Sequence, residues 1–503
     1  MLAIGLSTVV TGTAGAQTDV GPWTQFQGGA GHHGFLADGP QPPYRVRWTL
    51  PAPAGDALSP AIIVGGQAIA VGEAAVYGVD VGTGSVAWQL PRGGGPLSAP
   101  AVAPVDGREI LLYLEGPLSA EGAASPSPTA SAASSPTAIG SGATEASARP
   151  SPSAGSDGSQ ANPADASSLV AVRLRDHREL FRVPLGGTAR SSVTVDDANA
   201  YVGDQEGTVY AVSLADGSVR WTATVPGRVD TPVAVGDGNV YVVARNLEDL
   251  RVAIAAFDAS TGEPTWPPMA LQASSTAGSG PLAGEGSVVI GSSDRLVRAL
   301  SATDGSQRWG SLVLSLFSPV TSPASASGSV FAADISGGLY RLDPADGSRR
   351  WSYQLNDVVL RGSPVVSGST VLLGLGDGRL VAIDVASGHL VGQTETSPGA
   401  LGAIALSNVV VVAVKGGERA GLIAFEHDPD GTLVDLPSPT ELDALVTLSR
   451  YAAAAVLVFA LAFGLGVLAR RRFGGPVLAG GPIDGEGPGE EANEGVDAGE
   501  DDP

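Results

Sequence analysis

Residues 209–221 read VYAVSLADGSVRW: apolar and small positions alternate, an Asp-Gly pair follows, and a tryptophan stands four places past the glycine. The pattern returns at 76–88, 297–309 and 339–351, with looser copies at 254–266 and 380–392. Alternation of period two predicts half-buried strands, and the Asp-Gly or Thr-Gly pair between two such runs predicts a tight hairpin. Each unit also has an upstream half, in which Ser59-Pro60-Ala61, Thr231-Pro232-Val233 or Ser363-Pro364-Val365 precedes an apolar run, a glycine and a second run such as Val240–Val243. Each unit therefore holds about four short strands.

The aromatic positions set the period. Trp48, Trp88, Trp221, Trp266, Trp309 and Trp351 are separated by 40 residues (48 to 88), 45 (221 to 266), 43 (266 to 309) and 42 (309 to 351), and Phe181 stands 40 residues before Trp221. Four strands in a period of 40–50 residues predict the blades of a β-propeller. Counting from Trp48 gives eight units ending near residues 88, 181, 221, 266, 309, 351, 392 and 435, the last without an aromatic. The expected fold is all-β: an eight-bladed propeller of four-stranded antiparallel blades over residues 17–436, with seven blades as the alternative. Gly84, Gly217, Gly262, Gly305, Gly347 and Gly388 are the expected structural turn residues, because a tight hairpin needs a positive φ. The seven aromatics are the expected docking residues, broad rings that cover the neighbouring blade while the indole N–H finds a carbonyl. Closure of the ring needs a strand from near the N-terminus, and Tyr44 to Leu50 is the candidate.

The turn-glycine-then-tryptophan repeat resembles the tryptophan-docking repeat of the pyrroloquinoline-quinone-type (PQQ-like) β-propellers, which include quinoprotein dehydrogenases and BamB-like assembly scaffolds. The opening Trp23-Thr24-Gln25-Phe26-Gln27-Gly28 is similar to the W-x-x-F-x-G common in that family. The resemblance covers roughly residues 23–436. For a dehydrogenase it would imply adjacent cysteines beneath the quinone, a calcium site of Glu, Asn and Asp, and an aspartate base. The chain has no cysteine, and no remaining carboxylate can be matched to those positions. A non-catalytic member without cofactor is therefore expected, and a quinone- or metal-binding oxidoreductase or a sensor is the alternative. The BamB-like scaffold is a lipoprotein of double-membraned cells, and this chain has no cysteine to carry a lipid.

Between Leu111–Leu114 and Leu169–Leu174 the repeat is broken by residues 115–168, a Ser/Pro/Ala/Thr tract whose composition predicts disorder. It stands in place of a hairpin turn, on the same face as the links between blades. It reads as a glycosylated spacer or as a tolerated loop expansion.

Outside the repeat, the composition adds an address. Residues 451–469, YAAAAVLVFALAFGLGVLA, carry no charge, and about 19 residues at 1.5 Å rise span roughly 29 Å of hydrocarbon. Arg470, Arg471 and Arg472 follow as membrane-orienting residues and predict a cytoplasmic C-terminus with the propeller outside the cell membrane, on a single pass. Residues 437–450 read as the start of the same helix, with Ser438-Pro439-Thr440-Glu441 as its capping box. Residues 470–503 end as an acidic tail expected to be disordered, and residues 1–16 read as a signal peptide ending Ala14-Gly15-Ala16 or as a plain tail. The formal charge of −23 excludes a nucleic-acid partner and leaves an envelope protein as the expected one. The sequence leaves the oligomeric state open. His32 and His33 could bind metal as a pair but read more simply as solvated loop residues, His177 replaces the turn glycine of its repeat, and Gly93-Gly94-Gly95 reads as a flexible link rather than a phosphate cradle. Turn aspartates such as Asp80, Asp258, Asp343 and Asp384 read as turn caps rather than calcium ligands.

Overall fold

In a computed structural model, the described residues lie between 23 and 436, with 53–56, 117–165, 247–250, 275–279, 293, 313–320, 357, 395–396, 398 and 417–419 left out. They form eight sheets. In chain order the blades span 62–91, 101–184, 194–224, 234–274, 282–312, 324–354, 365–393 and 400–427; the first seven hold four antiparallel strands each, running from the axis outward, and the eighth supplies three, while Phe35–Leu36 adds a short fifth strand to the seventh sheet. The eighth blade takes its outer strand from the start of the propeller: Tyr44–Pro51 pairs antiparallel with Gly421–His427. The expected closure is thus present, and the ring has no free end.

The packing follows from the pleat. In the strand Asn239–Arg245, Val240 and Val242 pack with Val209, Ala211 and Trp221 of the third blade. Tyr241 and Val243 pack with Val288 and Ile290 of the fifth. Successive side chains of one strand therefore feed two successive cores, so the inner strands are apolar at nearly every position. Outer strands keep one wet face, and Val86–Pro91 is mostly exposed.

At the rim a single device repeats. Each outer strand has a bulge, and in all but the seventh blade an aromatic follows it: Ala211 faces Trp221 while Val212 faces Val219, and the same two-against-one step precedes Trp88, Phe181, Trp266, Trp309, Trp351 and Trp48. The bulge re-aims the ring toward the following blade. There the indole N–H donates to a carbonyl of the next outer hairpin: Trp48 to Val81, Trp221 to Ala259, Trp266 to Ala302, Trp309 to Pro344 and Trp351 to Val385, at 2.8–3.3 Å. The ring covers the turn glycine of that hairpin. A methyl group on Gly347 would stand 2.5 Å from the Trp309 ring, and one on Gly217 2.5 Å from Phe181. These turn glycines have φ of 72° to 77°, so both backbone conformation and space require glycine.

Three details depart from the sequence reading. Trp88 donates not to a carbonyl of the next blade but to Gln67 Oε1 of its own, over Gly78, and its ring lies 4.3 Å from that of His177, which holds the turn position at φ 56°. The eighth unit does not end near residue 435. Residues 434–436 instead return along the outer strand of the seventh blade, where Leu436 and Leu390 exchange backbone hydrogen bonds. Trp48 is the aromatic of the eighth blade, and the seventh carries Gly392 with Pro42 against it. Glu115 and Ser168 are not part of the insertion but pair with each other as strand ends.

The chain divides into two units, 1–442 and 443–503, and the second lies outside the described residues. So do the candidate signal peptide 1–16, nearly all of the insertion, the segment 437–450, the candidate span 451–469, Arg470, Arg471, Arg472 and the acidic tail. Among the described residues no helix is long and apolar enough to cross a membrane.

The docking geometry predicts that Trp309→Ala destabilises the propeller by about 3–5 kcal/mol, because it empties a buried ring site and leaves the Pro344 carbonyl without its donor. Chemical denaturation of the purified propeller measures this, and a change within about 0.5 kcal/mol, typical of a surface substitution, would contradict it.

Candidate functional site

Eight sheets around an axis present eight inner edge strands, and the central residue of a three-residue inner strand turns its N–H and C=O toward the axis. Residues 23–36 meet this row. The N–H of Ile63 donates to the Trp23 carbonyl, Val102 to Thr24, Val195 to the Gln25 side-chain oxygen, Val235 to Ala30, Ala283 to Gly31, Ser325 to His33 and Val366 to Gly34, at 2.6–2.9 Å. The segment thus visits blades one to seven in order. It reaches the eighth inner strand, Ala400–Leu406, through the short 3-10 turn Phe26–Gly28, and ends as Phe35–Leu36 in parallel pairing with Val366 and Ser367.

Its side chains fix it further. The Gln25 amide donates to the Val195 carbonyl, and that of Gln27 reaches the carbonyls of Pro323 and Pro364. Gly28, at φ 85°, lies beneath the Trp23 ring, where a methyl group would stand 3.1 Å from it. This accounts for the spacing of Trp23, Phe26 and Gly28: the first ring needs a glycine five places on to fold the turn under it.

The two adjacent histidines part company here. His32 is wholly buried, edge-on to Phe26, with Nδ1 on the Pro281 carbonyl at 3.0 Å and Nε2 without a partner among the described residues. It is not a solvated loop residue. Burial pulls its pKa down to about 4, the Pro281 carbonyl opposing and His33 assisting. His33 points the other way, exposed, with Nδ1 2.7 Å from Ser325 Oγ. Among the described residues no group of three or more His, Asp or Glu is placed to hold a metal. The turn aspartates are engaged by their own hairpins: Asp80 accepts from the Thr83 N–H and hydroxyl, Asp258 from Ser260 and Thr261, Asp384 from Ser387, and Asp343 from Ala345 and Arg350. Gly93–Gly95 lies in the link between blades one and two, where the buried Arg92 donates to the carbonyls of Gly72, Pro96 and Leu114.

The docking aromatics, turn glycines and turn aspartates thus lie at the rim, His32 and His33 lie in the axial segment, and these residues do not converge on one place. What converges is the axial segment, which the sequence marked only by its Trp-x-x-Phe-x-Gly opening. On the face carrying the inner and outer hairpins, His33 and Phe35 emerge beside the hairpins of blades five and six and line a cavity of about 440 Å³ with Leu282, Glu285, Ser327 and Val330. The opposite face carries the links between blades and the site of the insertion.

With this geometry in hand, comparison with known proteins is informative. The family model described as outer membrane protein assembly factor BamB matches residues 165–310 and 250–428. The protein of that name from Escherichia coli (strain K12) is 26% identical over 246 residues, 45% of this chain and 61% of its own length. Its counterpart from Burkholderia pseudomallei (strain K96243) is 26% identical over 283 residues, 53% of this chain and 70% of its own. The chain therefore spans less than two thirds of the first of these relatives. Among solved structures, BamB from Moraxella catarrhalis superposes with a TM-score of 0.39 at 18% identity, over 51% of this chain and 91% of that one. The computationally designed Ika8 protein superposes with a TM-score of 0.54 at 12% identity, over 76% of this chain and all of that one, a likeness of fold alone.

The buried His32 predicts an acid-sensitive axis. Its folded pKa lies below the unfolded value of 6.5, so the unfolded chain takes up the proton first as pH falls. Stability is lost between about pH 6.5 and 4, by about 3 kcal/mol for a shift of this size. His32→Gln should flatten that window in urea titrations, whereas an unchanged pH profile would contradict the assignment. A separate loss follows at lower pH: the Ser218 hydroxyl and N–H hold Asp216 down to about 2, so its contribution is present above the ordinary carboxylate range and disappears as pH falls toward 2.

Proposed function

This chain belongs to the β-propeller family described as outer membrane protein assembly factor BamB, and from that premise we propose that it is a non-catalytic scaffold that binds proteins of the cell envelope through the faces of its propeller. The observation that carries this reading is the filled axis. The inward-facing N–H groups of seven blades are bonded to the chain's own residues 23–34, so the surfaces open to a partner are the two rings of turns and links. The fold is a frame that holds many loops at fixed spacing.

We further propose that residues 451–469 tether this frame to the membrane by a single pass, with Arg470, Arg471 and Arg472 on the cytoplasmic side and the propeller outside. Residues 1–16 act as the export signal in this scheme.

Two experiments test the two halves. Site-specific photo-crosslinking from hairpin and link residues of the full chain in cells should trap a reproducible envelope protein, and no reproducible product from either face would overturn the scaffold reading. The full chain should sediment with membranes and resist alkaline extraction, while a chain ending at residue 450 should be released. Retention of the shortened chain would overturn the tether.

A further inference from the structure

Blades five and six leave between their inner hairpins the cavity of about 440 Å³ whose floor is the axial segment. Its walls are Leu282, Val289, Val330, Pro344 and the Phe35 ring, which is 39% exposed. Its polar groups are Glu285, His33 and several serines, and among the described residues no lysine or arginine lines it.

The chemistry of this lining is one-sided. Glu285 occupies the first position of a hairpin in which it and Gly286 have φ of 55° and 71°. That turn favours Gly, Asn or Asp, which blades one, two and four supply as Gly65, Asp106 and Asp237. Blade six departs from that preference as well, with Ser327 at φ 50°, so both hairpins that flank the cavity carry a polar side chain in a left-handed conformation. Asp237 adds a second carboxylate next door and accepts from the Gly286 N–H at 2.9 Å. Both carboxylates act on His33, opposing the downward pull of burial on its pKa. The nearby guanidinium groups are turned elsewhere: Arg350 pairs with Asp343, Arg341 donates to the Val385 carbonyl, and both reach the lining only at Ser329 Oγ. Arg308 touches the Gly286 carbonyl at 3.4 Å.

We propose that this cavity is a binding site for the basic side chain, arginine or lysine, of an extended segment of a protein partner. The aliphatic stem lies along Leu282, Val289, Val330 and the Phe35 ring, and the cationic head meets Glu285. Such a side chain matches both halves of the lining, whereas a neutral sugar would leave the carboxylate without its charge partner. The inference rests on the scaffold reading and narrows it to one face and one chemistry.

The test uses the purified full chain in detergent and a fluorescein-labelled peptide, GVRVG, followed by anisotropy, with GVQVG as the neutral counterpart. GVRVG should bind and GVQVG should bind at least about tenfold more weakly, the size expected for one charge-assisted hydrogen bond. Glu285→Gln should weaken GVRVG by a similar factor. Glu285→Asn, which suits the turn better and also lacks the charge, should do the same with an unchanged melting temperature, separating loss of binding from loss of fold. Glu206→Gln, on the opposite face, should leave binding as it was. Absence of GVRVG binding at millimolar concentration, equal binding of the two peptides, full binding by the Glu285 variants, or binding of a chitin trisaccharide in place of the peptide would each overturn the proposal. If crosslinking still traps an envelope partner with Glu285→Asn at the unmodified level, this site falls and the scaffold reading stands; if no partner is trapped by the unmodified chain, the scaffold reading falls first.

Discussion

A ring of sheets has an unavoidable inner edge. Every blade turns one strand toward the axis, and the inward N–H and C=O of that strand need partners in a place largely withdrawn from water. Here the partner is a continuous piece of the same chain. Residues 23–34 accept from one inner strand after another, in blade order, with Gln25 contributing a side-chain oxygen where the backbone turns away. Much of the rest follows. The segment fixes the blades at a common height, delivers the chain to Tyr44–Pro51 to close the last blade, and sets His33 and Phe35 at the mouth of one face.

The rim solves a different problem by different means. Neighbouring blades meet through apolar faces that could slide, and at six of the eight junctions a bulge, a ring and a turn glycine lock the pair in register. The indole hydrogen bond adds direction to an otherwise non-directional contact. Axis and rim are thus independent constraints, one carried by the N-terminal segment and the other by the repeated outer strands.

The rim was legible in the sequence because it is written in side chains at a fixed period: Trp221, Gly262 and Trp266 announce a bulge, a left-handed turn and the next bulge. The eighth blade was harder to place, since its aromatic, Trp48, stands at the opposite end of the propeller's sequence from its register partner Ala424, in the same core. Counting forward from Trp48 gives the right number of blades and misplaces only the end of the last unit, whose outer strand is the expected Tyr44–Pro51. The axial segment was almost silent, because most of its bonds are backbone carbonyls meeting amides up to several hundred residues away, and backbone groups leave no signature in residue type. Only Trp23 over Gly28 showed through. His32 and His33 look alike in sequence, yet period-two alternation sends one into the core and the other to the surface. The cavity beside Glu285 depends on two hairpins and the segment between them, a conjunction visible only once the ring is closed.

The central claim is that the axial segment satisfies the inner edges of the ring. Amide hydrogen exchange resolved to the inner strands tests it most directly, comparing the full propeller with a chain that begins at residue 38. The account predicts slow exchange at Val102, Val235, Ala283, Ser325 and Val366 together in the full chain, and a common loss of that protection in the shortened one while the middle strands, such as Asn239–Arg245, stay protected. Inner-strand amides that exchange equally slowly without residues 23–36, or equally fast with them, would contradict it.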